Sequence, residues 1–268
     1  MDILPIIAFA ILLSIAMAIA WAIQRTTGLS GWIDTIWSVA VGIGGILAAL
    51  LANGDTGRRT AAVLMIAAWA LRLGGHIGWR TRGGGEDPRY AKLIEDWGGN
   101  ASWRLFIFLQ IQALAAFVLV LVIHLAGINA SPFPRPADLL GLAVAIAALA
   151  GETVSDAQLA KFRRTPQAKT EICEAGLWRY SRHPNYFFEC LFWCCWPLLA
   201  ISSPLWTWLS LLAPILMYAL LVHVSGIPPL EEHMLRSRGD KFRALQRRVN
   251  AFFPGPRKHD PAHQGKQP

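Results

Sequence analysis

Apolar residues form seven long runs along the chain, and shorter polar segments separate these runs. Each run is about as long as the helix of roughly 17 to 25 residues that crosses the hydrocarbon core of a bilayer. The runs cover residues 3–23, 32–52, 60–79, 105–127, 137–158, 186–202 and 204–225. The pattern predicts an all-α integral membrane protein of about seven transmembrane helices. The last two should form a tight hairpin at Ser202, Ser203 and Pro204.

The composition supports a membrane protein and limits its partners. Hydrophobic residues make up 54% of the chain and charged residues only 16%, whereas soluble domains carry roughly 25% charged residues. The net charge is +8, but the basic residues lie between apolar runs and form no continuous stripe with interleaved aromatic residues. We therefore expect contacts with membrane lipids or a phosphate-bearing ligand, and not with nucleic acid.

The Lys and Arg residues predict the orientation. With the N-terminus outside, the outside segments hold only Arg58, Arg59 and Arg135 of the 25 basic residues, and Arg72 lies within a span. Because cytoplasmic loops carry the excess of basic residues, the N-terminus is predicted outside and the C-terminus in the cytoplasm. We expect a single transmembrane domain over residues 1–256 and a disordered tail over 257–268.

The four cysteines are interpreted as packing residues. Cys190, Cys194 and Cys195 fall within one apolar run, Cys173 precedes it, and no His lies beside them at ligand spacing. Such residues are typically buried and reduced, so neither a metal site nor a disulfide is expected.

Ionisable residues also occur within predicted spans, where they are costly and usually face a cavity or a partner. Asp34 and Trp37 lie near the start of the second span. In the third span, Arg72, His76 and Arg80 follow each other at steps of four, so they share one helix face. A structural interpretation stays open for each, because they could form ion pairs or reach the interface.

The fifth span ends in a similar pattern. Glu152 and Asp156 are four residues apart, and Arg163 follows seven residues later on the same face. These carboxylates could pair with Arg72 or contribute to a functional site.

The densest polar segment, residues 176–189, lies directly before the sixth span. Pro184 suits the first turn of a helix, whose N-terminus offers free N–H groups and a partial positive charge. This position, together with nearby cations, indicates a pyrophosphate site. A basic interfacial cap with an aromatic belt is the alternative. The side chains concerned are Trp178, Arg179, Tyr180, Arg182, His183, Asn185, Tyr186 and Glu189.

A basic segment follows the seventh span and contains the adjacent acids Glu231 and Glu232. The segment reads as one amphipathic helix on the membrane surface. Lipid binding explains its basic residues better than it explains the two glutamates.

Three parts of the chain resemble the membrane steroid 5-alpha-reductases, and specifically their bacterial relatives. They are Arg-His-Pro-Asn-Tyr-x-x-Glu at 182–189, Glu-x-x-x-Asp to Phe-Arg at 152–163, and the Arg-Leu-Gly-Gly-His to Asp-Pro-Arg-Tyr stretch at 72–90. The resemblance covers roughly residues 30–255, and the related delta-14 sterol reductases share Trp178, Asn185 and Tyr186. It implies a protein of the bacterial inner membrane that binds NADPH on its cytoplasmic side and reduces a carbon–carbon double bond conjugated to a ketone.

Carried over residue by residue, the resemblance implies a site for NADPH. The residues concerned are Glu152, Asp156, Arg163, Trp178, Arg179, Tyr180, Arg182, His183, Asn185, Tyr186, Glu189, Glu231 and Glu232. One departure is Leu159, which stands where the sterol reductases place a basic residue four positions before Arg163.

The substrate implied by the resemblance is an apolar, steroid-like enone that enters from the bilayer. The mammalian steroid reductases hold its ketone with a glutamate and a tyrosine, and this chain has no such pair at matching positions. Our hypothesis is that Asp34 and His76 polarise the ketone and that Arg72 tunes them. Trp37 and Trp69 would then contact the substrate.

Two other functions stay open. The Arg-His-Pro-x-Tyr motif, the paired glutamates and the aromatic-Pro at 253–254 also resemble membrane isoprenylcysteine methyltransferases, which bind S-adenosylmethionine. Those chains are typically shorter and lack the features at 72–90 and 152–163, so the reductase is favoured. The third possibility is a non-catalytic sterol-binding protein on the same fold.

Overall fold

The computed structural model describes residues 3–83 and 87–258, and within these residues the regular structure is entirely helical. The α-helices are α1 (Ile3–Thr27), α2 (Gly31–Leu50), α3 (Thr56–Arg82), α4 (Pro88–Trp97), α5 (Ala101–Gly127), α6 (Pro136–Arg163), α7 (Pro184–Ala200), α8 (Leu212–Ala219), α9 (Ile227–Arg238) and α10 (Asp240–Arg248).

Six helical segments in the described part of the chain are long and apolar enough to cross a membrane, which confirms an all-α membrane protein. They are Ile3–Thr27, Gly31–Leu50, Thr56–Arg82, Arg89–Gly127, Pro136–Arg163 and Leu205–Arg238. The predicted span at 186–202 forms α7, whose 17 residues extend over about 26 Å at 1.5 Å per residue. This is slightly less than the hydrocarbon thickness of about 30 Å. The count of seven and the orientation therefore stay predictions.

Most helices extend beyond the apolar runs that predicted them. The run at 60–79 lies inside Thr56–Arg82, and the run at 137–158 lies inside Pro136–Arg163. Hydropathy marks the lipid-facing part of a helix, whereas backbone hydrogen bonding continues into the polar ends. Asp55 shows this at the start of α3, where its side chain accepts a hydrogen bond from the Arg58 backbone N–H at 3.1 Å.

The span predicted at 204–225 overlaps the candidate span Leu205–Arg238, but it is not one regular α-helix. The segment is a 3₁₀-helix at Leu205–Leu211, then α8, then a π-helix at Leu220–Val224. Pro214 lies in the first turn of α8, where its missing N–H is tolerated. The basic tail helix is also divided, since Gly239 adopts a positive φ of 49° between α9 and α10.

The described residues form two compact units. The first holds residues up to Ala145 together with Trp193–Leu216. In this unit α2 packs closely on α3, because a Cβ added to Gly42 would lie 2.4 Å from the Ala70 Cβ. Helices α1 and α5 also pack on α2.

A buried cluster of charged residues connects α3, the start of α6 and the end of α7 within the first unit, at the side predicted to be outside. The Arg58 guanidinium binds both carboxylate oxygens of Asp138, at 3.1 and 2.7 Å, and both side chains are 0% exposed. Arg135 also binds Asp138, and it donates to the carbonyls of Leu198 and Ile201 at the end of α7. These contacts satisfy carbonyl groups that a helix end leaves without an intrahelical partner.

The second unit holds Ile146–Phe192 and residues 217–258. Close packing here requires Gly151, since an added Cβ would lie 2.3 Å from the Phe188 ring. Phe242, Leu245 and Val249 form a buried cluster with residues that include Ile172.

The cysteines agree with their interpretation as packing residues. Cys173, Cys190 and Cys195 are buried, and Cys194 is half-buried. Burial raises the pKa of the Cys173 thiol, an effect that outweighs the hydrogen bond from the Ala175 backbone.

Candidate functional site

The carboxylate of Asp34 lies in a cluster of polar side chains within the first unit. The Tyr90 hydroxyl donates to Asp34 Oδ1 at 2.7 Å, and Arg89 Nη2 donates to Asp34 Oδ2. Tyr90 is only 3% exposed. We use the name acid cluster for Asp34, Asp87, Arg89, Tyr90 and Gln112. A carboxylate, a phenol and a guanidinium in contact provide both a proton donor and a fixed positive charge.

Helix α4 brings Arg89 and Tyr90 to this position. Asp87 caps α4, since its Oδ1 accepts a hydrogen bond from the Arg89 backbone N–H at 3.1 Å, and Pro88 occupies the first turn. The Arg89 side chain turns back to the same cap, where its Nε lies 2.9 Å from Asp87 Oδ1. The Asp-Pro-Arg-Tyr sequence therefore starts the helix and directs two side chains towards Asp34. Residues 84–86, which belong to the same motif stretch, lie outside the described residues.

Asp87 is an ionised partner for Arg80 and Arg89. Burial would raise the pKa of its carboxyl group, but the hydrogen bonds and charge of Arg89 and the charge of Arg80 hold the pKa below its ordinary value of 3.8. Arg80 Nη2 lies 3.2 Å from Asp87 Oδ2. Asp87 therefore carries a negative charge at neutral pH and orients Arg89.

Gln112 on α5 connects the acid cluster to the aromatic residues of the unit. Its side-chain Nε2 donates to the Tyr90 hydroxyl oxygen at 3.0 Å. Its backbone carbonyl accepts a hydrogen bond from Trp37 Nε1 at 3.1 Å. The same residue thus contacts the phenol and an indole of the predicted substrate site.

The tryptophans predicted to contact substrate are in contact with each other. The rings of Trp37 and Trp69 lie edge to face with centroids 6.2 Å apart, and the Trp69 and Trp193 centroids are 5.3 Å apart. Trp69 and Trp193 are fully buried. These indoles form an apolar cluster, and Trp37 connects it to Gln112 through its N–H.

The other candidates on α3 differ in exposure. Arg72 is half-buried, whereas His76 is exposed. The partners that the structure shows for the Asp34 carboxylate are Arg89 and Tyr90, so the pairing of Asp34 with His76 stays a prediction.

A cavity of about 300 Å³ lies between α2 and α3, lined by residues that include Trp32, Thr35, Gly75, Trp79 and Arg82. The described residues that line it include Thr35, which follows Asp34 in the chain, but no member of the acid cluster.

The second unit brings together several residues of the predicted cofactor site. Helix α7 begins at Pro184, as predicted. Asn185 Oδ1 accepts a hydrogen bond from the Tyr186 backbone N–H at 3.1 Å, and Asn185 Nδ2 donates to Asp156 Oδ1 at 3.3 Å. Trp178 Nε1 donates to the Ser155 carbonyl at 2.8 Å. Hydrogen bonds thus hold Asn185 and Trp178 against the C-terminal part of α6.

Arg182 and His183 converge on Glu231 of α9. Arg182 donates to both carboxylate oxygens of Glu231, and His183 Nε2 lies 3.0 Å from Glu231 Oε1. Gln246 Nε2 binds the same carboxylate at 2.8 Å. These side chains therefore join the motif to the tail helices. Any contact of Arg182 with a phosphate would compete with Glu231.

The remaining cofactor candidates differ in their environment. Arg163, Arg179 and Tyr180 are exposed, whereas Glu152 and Glu189 are buried. Tyr186 stacks on the His183 ring with centroids 5.6 Å apart. Glu232 forms an exposed ion pair with Arg236. The exposed cations are the ones accessible to a soluble anionic ligand.

Residues 249–258, which we call the C-terminal strap, lie against the motif segment. The Gly255 backbone N–H donates to the Tyr180 carbonyl at 3.0 Å, and the Arg182 backbone N–H donates to the Asn250 carbonyl at 2.9 Å. Arg257 forms an ion pair with Glu174 at 2.6 Å. Arg257 and Lys258 begin the tail predicted to be disordered, and the rest of that tail, residues 259–268, lies outside the described residues.

Sequence reasoning missed Tyr90 and Gln112 as site residues. Tyr90 lies in a polar stretch between spans, and the signal that could have found it is the Asp-Pro helix start directly before it. Gln112 is a neutral amide within an apolar run, so it was not found when only ionisable residues within the spans were considered. A polar side chain in a predicted span is costly even when it carries no charge.

Comparison with protein families matches residues 20–249 to the family DUF1295, described as a protein of unknown function, so the chain belongs to that family. No curated protein matches the chain, and no solved structure matches it.

Proposed function

We propose that this member of the DUF1295 family is an NADPH-dependent oxidoreductase that reduces the carbon–carbon double bond of an apolar enone, such as a 3-oxo-4-ene steroid. The proposal rests on the contact between Tyr90 and Asp34 in the acid cluster. It is supported by the resemblance of residues 72–90, 152–163 and 182–189 to the membrane steroid 5-alpha-reductases.

The Tyr90–Asp34 pair matches the chemistry of a ketone-binding site. An enone that accepts a hydride at its β carbon develops negative charge on its carbonyl oxygen. A phenol can hydrogen-bond that oxygen and then transfer its proton to it. The two residues are 56 positions apart in the chain and are 2.7 Å apart between their oxygens. This carboxylate–tyrosine pair could serve the role of the glutamate–tyrosine pair that was not found at matching positions in the sequence.

The residues around Tyr90 have distinct roles in this proposal. Asp34 orients the hydroxyl while the site is empty of substrate. Arg89 neutralises Asp34, so that the carboxylate stays paired when the hydroxyl turns towards the carbonyl oxygen. Trp37 and Trp69 exclude water and position the flat rings of the substrate.

The second unit contains a donor set that fits NADPH. The exposed guanidinium groups of Arg163 and Arg179 suit phosphate groups, and the N-terminus of α7 adds a partial positive charge. Asn185, held against Asp156, offers amide hydrogen bonds, and the exposed Tyr180 offers a ring surface. NADPH, when bound, supplies the hydride.

The test is a turnover assay on detergent-purified protein with NADPH and progesterone. Absorbance at 340 nm follows oxidation of the cofactor, and mass spectrometry follows the product. Steroid-dependent oxidation with a product two mass units heavier supports the proposal. If there is no turnover with a panel of apolar enones but S-adenosylmethionine binds tightly, the methyltransferase alternative replaces it. Sterol binding without either cofactor would favour the non-catalytic alternative.

A pair of tyrosine variants tests the observation that carries the proposal. Tyr90→Phe removes only the hydroxyl, and we expect the turnover number to fall by a factor of about 10² to 10⁴, which is typical for loss of a general acid. Tyr218→Phe is the matched control, because Tyr218 packs through its ring against Phe252 in the second unit. Equal activity of both variants would show that Tyr90 is not the proton donor.

A further inference from the structure

The hydrogen bonds at Tyr90 run in one direction, and the Asp34 carboxylate determines that direction. A phenol has one proton, and the Tyr90 proton is donated to the Asp34 carboxylate, which can only accept. The contact between Gln112 and the Tyr90 oxygen must therefore use an N–H of the amide, and Nε2 lies 3.0 Å from that oxygen. The order is amide, then phenol, then carboxylate.

This amide orientation leaves the other end of Gln112 unsatisfied. Gln112 Oε1 is buried and accepts no hydrogen bond from any residue between 3–83 or 87–258. Reversing the amide would place Oε1 against the Tyr90 oxygen, with no proton between the two acceptors. A buried acceptor without a partner costs stability. The unsatisfied Oε1 thus lowers the stability of the folded protein locally, in an amide orientation that directs an N–H at Tyr90.

We propose that Gln112 is a positioning residue that stabilises the Tyr90 phenolate during proton transfer, an inference that rests on the proposed function. As hydride reaches the β carbon, the Tyr90 O–H bond breaks and its proton forms a bond to the carbonyl oxygen of the substrate. The negative charge then lies on the phenolate oxygen, where the N–H of Gln112 already donates. The enol product becomes the saturated ketone by moving that proton from oxygen to carbon, and a second proton, taken up from solvent, restores the Tyr90 hydroxyl.

The charges around Tyr90 explain why a neutral donor suits this role. Asp34 of α2 opposes formation of a phenolate, while Arg89 of α4 favours it. Arg89 is also held by Asp87, which in turn pairs with Arg80 of α3. Gln112 approaches from α5 and is the uncharged partner of Tyr90 in the acid cluster. It can stabilise the phenolate without adding a charge that would alter the Asp34–Arg89 pair.

The test compares Gln112→Leu with Gln110→Leu. Gln110 is on the same helix and accepts a hydrogen bond from Ser14 at 2.7 Å, away from the acid cluster. We expect Gln112→Leu to lower the turnover number about tenfold, equivalent to about 1.4 kcal/mol in the barrier. The KM should change little, and the solvent deuterium isotope effect should increase, because proton transfer limits the rate more strongly. Gln110→Leu should match the wild type in all three quantities.

A second measurement separates this role from a structural one. Leucine removes both the donor and the unsatisfied acceptor, so we expect the melting temperature of Gln112→Leu to equal or exceed that of the wild type. A lower melting temperature together with lower activity and an unchanged isotope effect would overturn the proposal in favour of a scaffold role. If the wild type reduces the enone and Gln112→Leu does so at the same rate, this proposal is overturned, while the proposed function stands. Absence of enone reduction in the wild type would instead refute the proposed function, and this role with it.

Discussion

Arg182 and Glu231, 49 positions apart in the chain, form a bidentate ion pair with distances of 2.7 and 3.0 Å. Arg182 Nη1 also donates to the carbonyl of Val249 at 2.5 Å. One side chain thus holds both the first tail helix and the start of the C-terminal strap. Two parallel hydrogen bonds fix the relative orientation of the charged groups, which a lysine cannot do.

We expect Arg182→Lys and Glu231→Gln to destabilise the second unit. Each variant loses charge-assisted hydrogen bonds in a half-buried site, for an expected loss of about 1 to 3 kcal/mol. Thermal unfolding in detergent and proteolysis of the tail helices measure the effect. Arg236→Lys is the control, since the Arg236–Glu232 pair is largely exposed and should contribute less than about 1 kcal/mol. Equal effects of Arg182→Lys and Arg236→Lys would contradict this interpretation.

A larger loss is expected at the buried pair of Arg58 and Asp138. Arg58→Met leaves Asp138 without one of its two cationic partners, and Asp138→Asn leaves two guanidinium groups close together. Breaking a buried ion pair from one side typically costs about 3 to 5 kcal/mol. The double variant Arg58→Met/Asp138→Leu should lose less than the sum of the single variants. Arg104→Met, at an exposed position, is the control, and additive losses in the double variant would argue against direct coupling.

Acid should weaken the protein partly through Asp87. Because the folded state lowers the pKa of this carboxyl group below 3.8, the ionised group stabilises the fold above its unfolded pKa. That stabilisation is lost as the pH falls below about 4 and passes through the folded pKa. Asp87→Asn should therefore be less stable than the wild type at neutral pH, and the difference should shrink under acid conditions. Melting temperatures from about pH 7 to pH 3 measure it, and a constant difference would refute this expectation.

Two glycines of the first unit should respond in opposite directions to alanine. A Cβ on Gly42 meets Ala70 at 2.4 Å, so Gly42→Ala should separate α2 from α3 and destabilise the protein by about 1 to 3 kcal/mol. Gly75 on α3 has open space where its Cβ would lie. Gly75→Ala should be neutral or stabilising by up to about 1 kcal/mol, through helix propensity. The pair of melting temperatures tests the packing of α2 on α3.

The membrane helices could be predicted because their apolar runs are long and separated by polar segments. The start of α7 was also predictable, since Pro184 follows a cluster of polar residues and precedes an apolar run. The irregular helix over 205–224 was not, because 3₁₀ and π turns depend on local hydrogen bonding that hydropathy does not report.

The candidate site was predictable only in part. Asp34 stood out as an acid within an apolar run, and Trp37 lies one turn later on the same helix. The contacts of Asp34 depend on how α2, α4 and α5 pack, which brings in Tyr90 and, through Tyr90, Gln112. Sequence spacing relates residues within one helix, whereas these residues come from three.

The C-terminal strap has a consequence for biosynthesis. Residues 249–258 are translated after residues 174–189, which they contact through Asn250, Gly255 and Arg257. A nascent chain that ends before the strap therefore carries the complete motif and every membrane-spanning segment, but not the backbone partners of Tyr180 and Arg182. Ribosomes that stop early would therefore release proteins that can insert into the bilayer but whose motif lacks these backbone partners.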